Sequence, residues 1–205
     1  MKLLVASQNP KKLAELRLAL SKLDLELVLP AEVGGLPDVA EDRPTFRENA
    51  AKKAASAARA TGLWALADDS GLEVEALHGA PGVLSARWAG VHGDDAANNR
   101  LLVKELSGVP LHKRNARFVC ALALARPDGS VALEVSGSAR GRILNSPRGG
   151  RDFGYDPYFL FTEEGFPQTG LGFAELTPEE KGQVSHRGRA LRDLARRMVG
   201  LLQAT

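Results

Sequence analysis

The opening stretch, KLLVASQNPKKLAELRLALSKLDLELVLP, constrains this chain more than any other. An apolar run ends at Asn9-Pro10, after which Leu13, Leu16, Leu20 and Leu23 recur at helical spacing before a second apolar run begins. Strand, tight turn, helix and strand in that order make a βαβ unit, which favours an α/β fold.

The remaining punctuation is consistent with one domain spanning residues 1–205, without internal repeat or linker. Gly34 to Pro44 is rich in Gly, Pro and acidic residues and reads as a loop. Thr45 with Glu48 forms a capping-box pattern that opens the Ala-rich helix FRENAAKKAASAARA, stopped by Gly62. A short strand WALAD, an Asp-Asp-Ser-Gly turn and a further run LEVEAL are expected next. HGAPGVLSARWAGVHG, with four glycines and no clear period, reads as a long surface loop, and loops of that length are often functional. A helix is expected from Asp94 to Leu106, followed by two strands joined at Asp128-Gly129 as an antiparallel hairpin, which makes the sheet mixed. Thr177 with Pro178 and Glu180 gives a second capping box. It precedes a final amphipathic helix whose stripe is Leu191, Leu194, Ala195, Met198, Leu201 and Leu202.

Composition excludes several classes. Hydrophobic residues at 44% and charged residues at 25% are a globular balance, not that of a disordered or collagen-like chain. A net charge of +2 does not by itself imply nucleic-acid binding. The single cysteine, Cys120 in FVCALALA, rules out an intramolecular disulfide or multi-thiolate zinc site and is expected in the core. No stretch approaches the roughly 20 apolar residues needed to span a bilayer, and the chain opens on a strand rather than a signal peptide, so the expected address is the cytoplasm.

Four stretches carry candidate chemistry. Two adjacent aspartates, Asp68 and Asp69, repel each other at the end of a buried run unless something compensates, and a hard divalent cation is one such partner. A capped turn built by Asp, Ser and Gly71 is the plainer alternative. In SQNPKK, Ser7, Asn9 and the backbone N–H groups at a helix N-terminus suit a phosphate, with Lys12 one turn in; an ordinary capped helix with solvated lysines fits equally. In GGRDFGYDP, glycines allow close backbone approach while Phe153 and Tyr155 offer faces for a nucleobase, or the segment is a turn leading into a core strand. In SHRGRAL, His186 and Arg187 can present donors to carbonyl or phosphate oxygens, or simply start a helix.

Taken together, Ser7-Gln8-Asn9 with Lys12, FRENAAKKA, ADDSGLEV, GAPGVLSARW, FGYDP and SHRGRAL occur in order over nearly the whole chain. This set resembles the inosine triphosphate pyrophosphatase family, which hydrolyses deaminated purine nucleoside triphosphates such as ITP, dITP and XTP. The resemblance implies an α/β fold with an elongated mixed central sheet, flanking helices and two lobes around a central substrate cleft, usually as a homodimer. It also implies Mg²⁺-dependent cleavage between the α- and β-phosphates to a nucleoside monophosphate and pyrophosphate. By the same resemblance Asp69 is the general base, Glu41 and Asp69 form the metal environment, and Asp68 assists. The segment Ser7, Gln8, Asn9, Pro10, Lys11, Lys12, together with Lys53 and Lys181, contacts the triphosphate, with Ser70 beside it. Phe153, in the loop with Gly154 and Tyr155, stacks on the base; Asp156 lies by it, and His186 with Arg187 recognises it. Many members carry Thr-Gly-Asn in the first motif where this chain has Ser7-Gln8-Asn9. Three rivals are weaker: a related septum-inhibitor type acting on pyrimidine or methylated nucleotides, disfavoured by SHRG and FGYDP; a nucleic-acid binder using the arginines of the last helix; and a Ser/His/Asp hydrolase, which lacks the G-x-S-x-G elbow.

Overall fold

The structure is a computed structural model that describes residues 1–7, 9–150 and 153–203. The expected βαβ unit is present: β1 (Lys2–Val5), α1 (Pro10–Leu20) and β2 (Glu26–Val28), with β1 and β2 parallel and Leu3 opposite Leu27. Thr45 accepts from the Glu48 N–H at the start of α2 (Phe46–Thr61), and Gly62 ends it in the left-handed region at φ 68°. The chain continues through β3 (Trp64–Val74), α3 (Asp95–Glu105), β4 (Asn115–Ala125), β5 (Val131–Ile143), β6 (Phe159–Phe161), α4 (Pro178–Val184) and α5 (His186–Gln203). The six strands are ordered β2-β1-β3-β4-β5-β6; β3 runs parallel to β1 and β6 antiparallel to β5, so the sheet is mixed and flanked by helices.

The residues group into two compact units. One comprises Met1–Asp69, Cys120–Gly137 and Arg187–Thr205. Its core joins Leu3, Val5 and Leu66 of the strands to Leu16 and Leu20 of α1 and to Leu191, Leu194 and Met198 of α5, with Cys120 fully buried among them. The other comprises Ser70–Val119 and Ser138–His186. Its core is aromatic: Phe118 and Phe159 lie 4.6 Å apart, Phe159 and Phe173 4.7 Å, around Leu72, Leu102 and Leu106. Among the described residues no helix is long and apolar enough to cross a membrane.

Three expectations need correction. Asp68-Asp69-Ser70-Gly71 is not a turn: it lies inside the continuous strand β3, because the charges that would break a strand are met by cations from elsewhere in the fold. The segment after β3 is not plain loop; it contains 3-10 turns at Glu75–Leu77 and Gly82–Arg87, and Ser85 is buried. The last helical region is two helices, α4 and α5, separated at Ser185, which takes an extended backbone at φ −69°, ψ 155°. His186 and Arg187 are the first residues of α5.

Gly141 on β5 pairs with Phe161 on β6, and a Cβ there would overlap the Leu160 carbonyl and the Phe159 ring. Gly141→Ala is expected to cost about 1–3 kcal/mol by overpacking. The check is a lower urea midpoint with an unchanged slope.

Candidate active site

The first unit gathers most of the charged candidates. Where β1 passes into α1, the Ser7 hydroxyl accepts from the Asn9 N–H at 3.3 Å, and the Asn9 side chain accepts from the Lys12 N–H at 3.3 Å. Asn9 therefore caps α1, and Pro10 takes the first helical position, where a missing N–H costs nothing. Gln8 and the side chain of Lys11 lie outside the described residues.

Asp68 and Asp69 alternate across β3 and meet different cations. Lys12 Nζ lies 2.6 Å from Asp68 Oδ2, and Arg187 Nη2 lies 3.8 Å from the same oxygen. Arg187, 8% exposed, extends its other terminal nitrogen to Glu15 at 3.2 Å. Burial opposes ionisation of Asp68, but the Lys12 and Arg187 charges outweigh it and hold the carboxyl well below the usual aspartate range. A void of about 20 Å³ lined by Ser7, Lys12, Asp68 and Arg187 lies beside this cluster.

Asp69 has the opposite electrostatic balance. Lys53, on α2, donates to Asp69 Oδ1 at 3.1 Å and to Glu41 at 2.9 Å, so one ammonium is shared by two carboxylates. Burial, together with the Glu41 charge, outweighs Lys53 and raises the Asp69 pKa above its ordinary value. Asp69 Oδ2 is buried and has no hydrogen-bond partner among the described residues. Burial works against the Lys53 charge as well, yet Asp69 and Glu41 raise its pKa and keep it cationic. Glu41, Lys53 and Ser7 line a cavity of about 330 Å³ together with the loop residues Leu36, Pro37 and Asp38. Two carboxylates with an orphaned oxygen form a hard donor set of the kind Mg²⁺ takes along with phosphate oxygens and water. Among the described residues no cluster of three or more His, Cys, Asp or Glu is placed to hold a metal by itself.

In the second unit Lys181 bonds Asp156, and its ammonium lies 5.7 Å over the Phe153 ring. Lys181, a triphosphate candidate by the resemblance, thus lies beside Phe153 and Asp156, the candidates for the base. His186 is buried and stacks on Phe118 at 4.8 Å with 12° between the rings. Tyr155 is not a stacking face: it is 5% exposed and its hydroxyl donates to the Ser85 carbonyl at 2.9 Å, which makes it an anchor for the loop. Ser70 follows Asp69 on β3 and is the first residue of this unit. The expected His186 and Arg187 pair is divided, His186 joining the aromatic cluster and Arg187 the Asp68 cluster.

Sequence reasoning overlooked Asn49. It is fully buried on α2 one turn before Lys53, accepts from the Arg43 N–H at 3.0 Å and donates to the Arg43 carbonyl at 3.3 Å. It thereby pins the loop that carries Glu41, and it also favours the ionised form of Asp69. The available signal was an asparagine on an otherwise Ala-rich helix at i−4 from a candidate lysine.

Known proteins resemble the chain over nearly its whole length. The Ham1 family model matches residues 3–197. The chain is 47% identical over 202 residues to a dITP/XTP pyrophosphatase of Rhodopirellula baltica, covering 98% of this chain and 95% of the relative. It is 51% identical over 195 residues to a dITP/XTP pyrophosphatase of Mycobacteroides abscessus, covering 93% and 91%. Among solved structures, a HAM1 protein from Coxiella burnetii superposes with a TM-score of 0.88 at 40% identity, covering 98% of this chain and 99% of that one.

Proposed function

Because the chain belongs to the Ham1 family, we propose that it hydrolyses non-standard purine nucleoside triphosphates, ITP, dITP and XTP, between the α- and β-phosphates. The products are a nucleoside monophosphate and pyrophosphate, and the reaction clears deaminated purines from the cytoplasmic nucleotide pool. The observation that carries the reading is Asp69: a buried carboxylate of raised pKa, one oxygen on a shared lysine and the other without a hydrogen-bond partner among the described residues.

A triphosphate resists attack because its own charge repels the nucleophile, so cations must neutralise it while a base takes a proton from water. Asp69 is the base, and its unpartnered Oδ2 is the atom that accepts the proton. Lys53 holds Asp69 and Glu41 in register and supplies positive charge beside them. Glu41 and Asp69 would hold Mg²⁺, which when bound supplies further charge neutralisation to the phosphates. Ser7, Gln8, Asn9, Pro10, Lys11 and Lys12 present the α1 N-terminus to the phosphates, with Ser70 next along β3. Phe153 stacks on the base, beside Gly154, Asp156 and Lys181. His186 supplies a donor to the 6-carbonyl of hypoxanthine or xanthine, a contact that the 6-amino group of adenine cannot match. Arg187, held 3.8 Å from Asp68, joins His186 in recognising the base. The central cleft between two lobes and the homodimer are parts of the same proposal.

The test is pyrophosphate release from ITP, XTP, GTP and ATP at matched concentrations, with Mg²⁺ and with EDTA. Fast metal-dependent release from ITP and XTP supports the reading; equal rates on all four, or release in EDTA, overturns it. Phe153→Ala is expected to raise KM for ITP by about 10-fold or more, since base–aromatic stacking contributes roughly 1–3 kcal/mol, with kcat little changed. An unchanged KM would remove Phe153 as the stacking residue.

A further inference from the structure

We infer that Asp95 and Asn99 on α3 are positioning residues for the base, acting through the backbone of Gly154; the inference rests on the reading of Phe153 as the stacking group. Asp95 Oδ2 accepts from the Gly154 N–H at 2.7 Å, and Asn99 Nδ2 donates to the Gly154 carbonyl at 2.9 Å. Both polar groups of one residue are therefore taken by two side chains spaced i, i+4, which share a helix face. Gly154 has φ 54°, a left-handed backbone, and lies outside the described strands and helices. The two side-chain bonds constrain this glycine, and Phe153 is the residue next to it.

The rest of α3 does not depend on these two residues. Asp94 caps the helix by accepting from the Ala97 N–H at 2.8 Å. Asn98, nearly fully buried, ties it to the preceding segment through the Ala89 N–H and the Ala86 carbonyl. Leu102 and Leu106 bury its apolar side. Asp95 and Asn99 are left to the loop. Asn99 keeps its donor on Gly154 although its own Oδ1 is then buried without a hydrogen-bond partner among the described residues. A residue serving stability alone has no reason to retain an unsatisfied acceptor. On the far side of Gly154, Tyr155 anchors to Ser85, and the Asp156 N–H donates to the Phe153 carbonyl at 3.1 Å, so the held glycine fixes the pitch of the ring and the carboxylate together.

The experiment is a double-mutant cycle read in KM, kcat and thermal midpoint with ITP. Asp95→Ala and Asn99→Ala are each expected to raise KM about 10-fold, with kcat within about twofold and an unchanged midpoint. Asp95→Asn, which keeps an acceptor oxygen, is expected to return KM close to the parent value. In a Phe153→Ala background Asn99→Ala is expected to add little, because both changes remove the same contact. Equal KM effects with and without Phe153, or loss of kcat and midpoint together, overturn the inference. Phe153→Ala raising KM while Asp95→Ala and Asn99→Ala do not overturns the inference alone. Phe153→Ala without effect on KM overturns the stacking reading and the inference with it.

Discussion

Asp69→Asn is expected to lower kcat for ITP by about 10²–10⁴, the range that a positioned general base contributes. The amide keeps the shape of the carboxylate but cannot take a proton from water. Asp69 suits the base's task because burial and Glu41 raise its pKa despite Lys53, making it more basic than an exposed aspartate. Folding should survive the change. Lys53 keeps Glu41 at 2.9 Å, so no buried cation is left alone. A carboxyl whose folded pKa lies above its unfolded one contributes stability in acid and loses it as pH rises through the folded value, so ionised Asp69 costs stability at neutral pH. Removing its charge therefore should not lower the thermal midpoint. The check is pyrophosphate release at saturating ITP beside a thermal unfolding curve. Turnover within about tenfold of the parent would remove Asp69 as the base.

The same aspartates mark how far a sequence can be read. Spacing within one segment was legible: the leucines of α1, the Thr45 cap, the Asp128-Gly129 hairpin and the α5 stripe from Leu191 to Leu201 all depend on neighbours a few residues away, while the side chain of Leu202 lies outside the described residues. The DDSG segment reads as a turn because Asp and Gly are poor strand formers and Ser favours turns. What holds them in β3 comes from Lys12, Lys53 and Arg187, far along the chain, and local propensity carries no trace of such partners. His186 and Arg187 looked like a pair because they are adjacent. At the start of a helix adjacent side chains point about 100° apart, and here one meets Phe118 and the other Asp68. Tyr155 looked like a second stacking ring, and only the position of the Ser85 carbonyl assigns its hydroxyl to an anchor. The sequence thus pointed to residues that the fold gathers in two candidate clusters, while the contacts each one makes depended on tertiary structure.

Asp68→Ala is expected to be the most destabilising change in the site, by about 3–5 kcal/mol, because it removes the shared anion of a buried ion cluster. Arg187 keeps Glu15, but that carboxylate is 44% exposed and a weaker counter-charge than Asp68 at 12%. Lys12 loses the 2.6 Å partner that directs it along the start of α1. Asp68→Asn, which keeps the shape and loses the charge, should fall between parent and alanine variant. The sign with pH is fixed by the depressed carboxyl: its stabilisation is present above the unfolded aspartate value of about 3.9 and is lost as pH falls toward the lower folded value. Urea midpoints of parent and Asp68→Ala should therefore differ by a constant amount from about pH 5 to 8 and converge below about pH 4. A gap that persists unchanged into acid would mean that the cost is lost packing rather than lost charge. An alanine variant as stable as the parent would mean that Lys12 and Arg187 are neutralised elsewhere, and that Asp68 in the middle of β3 is not what orders them.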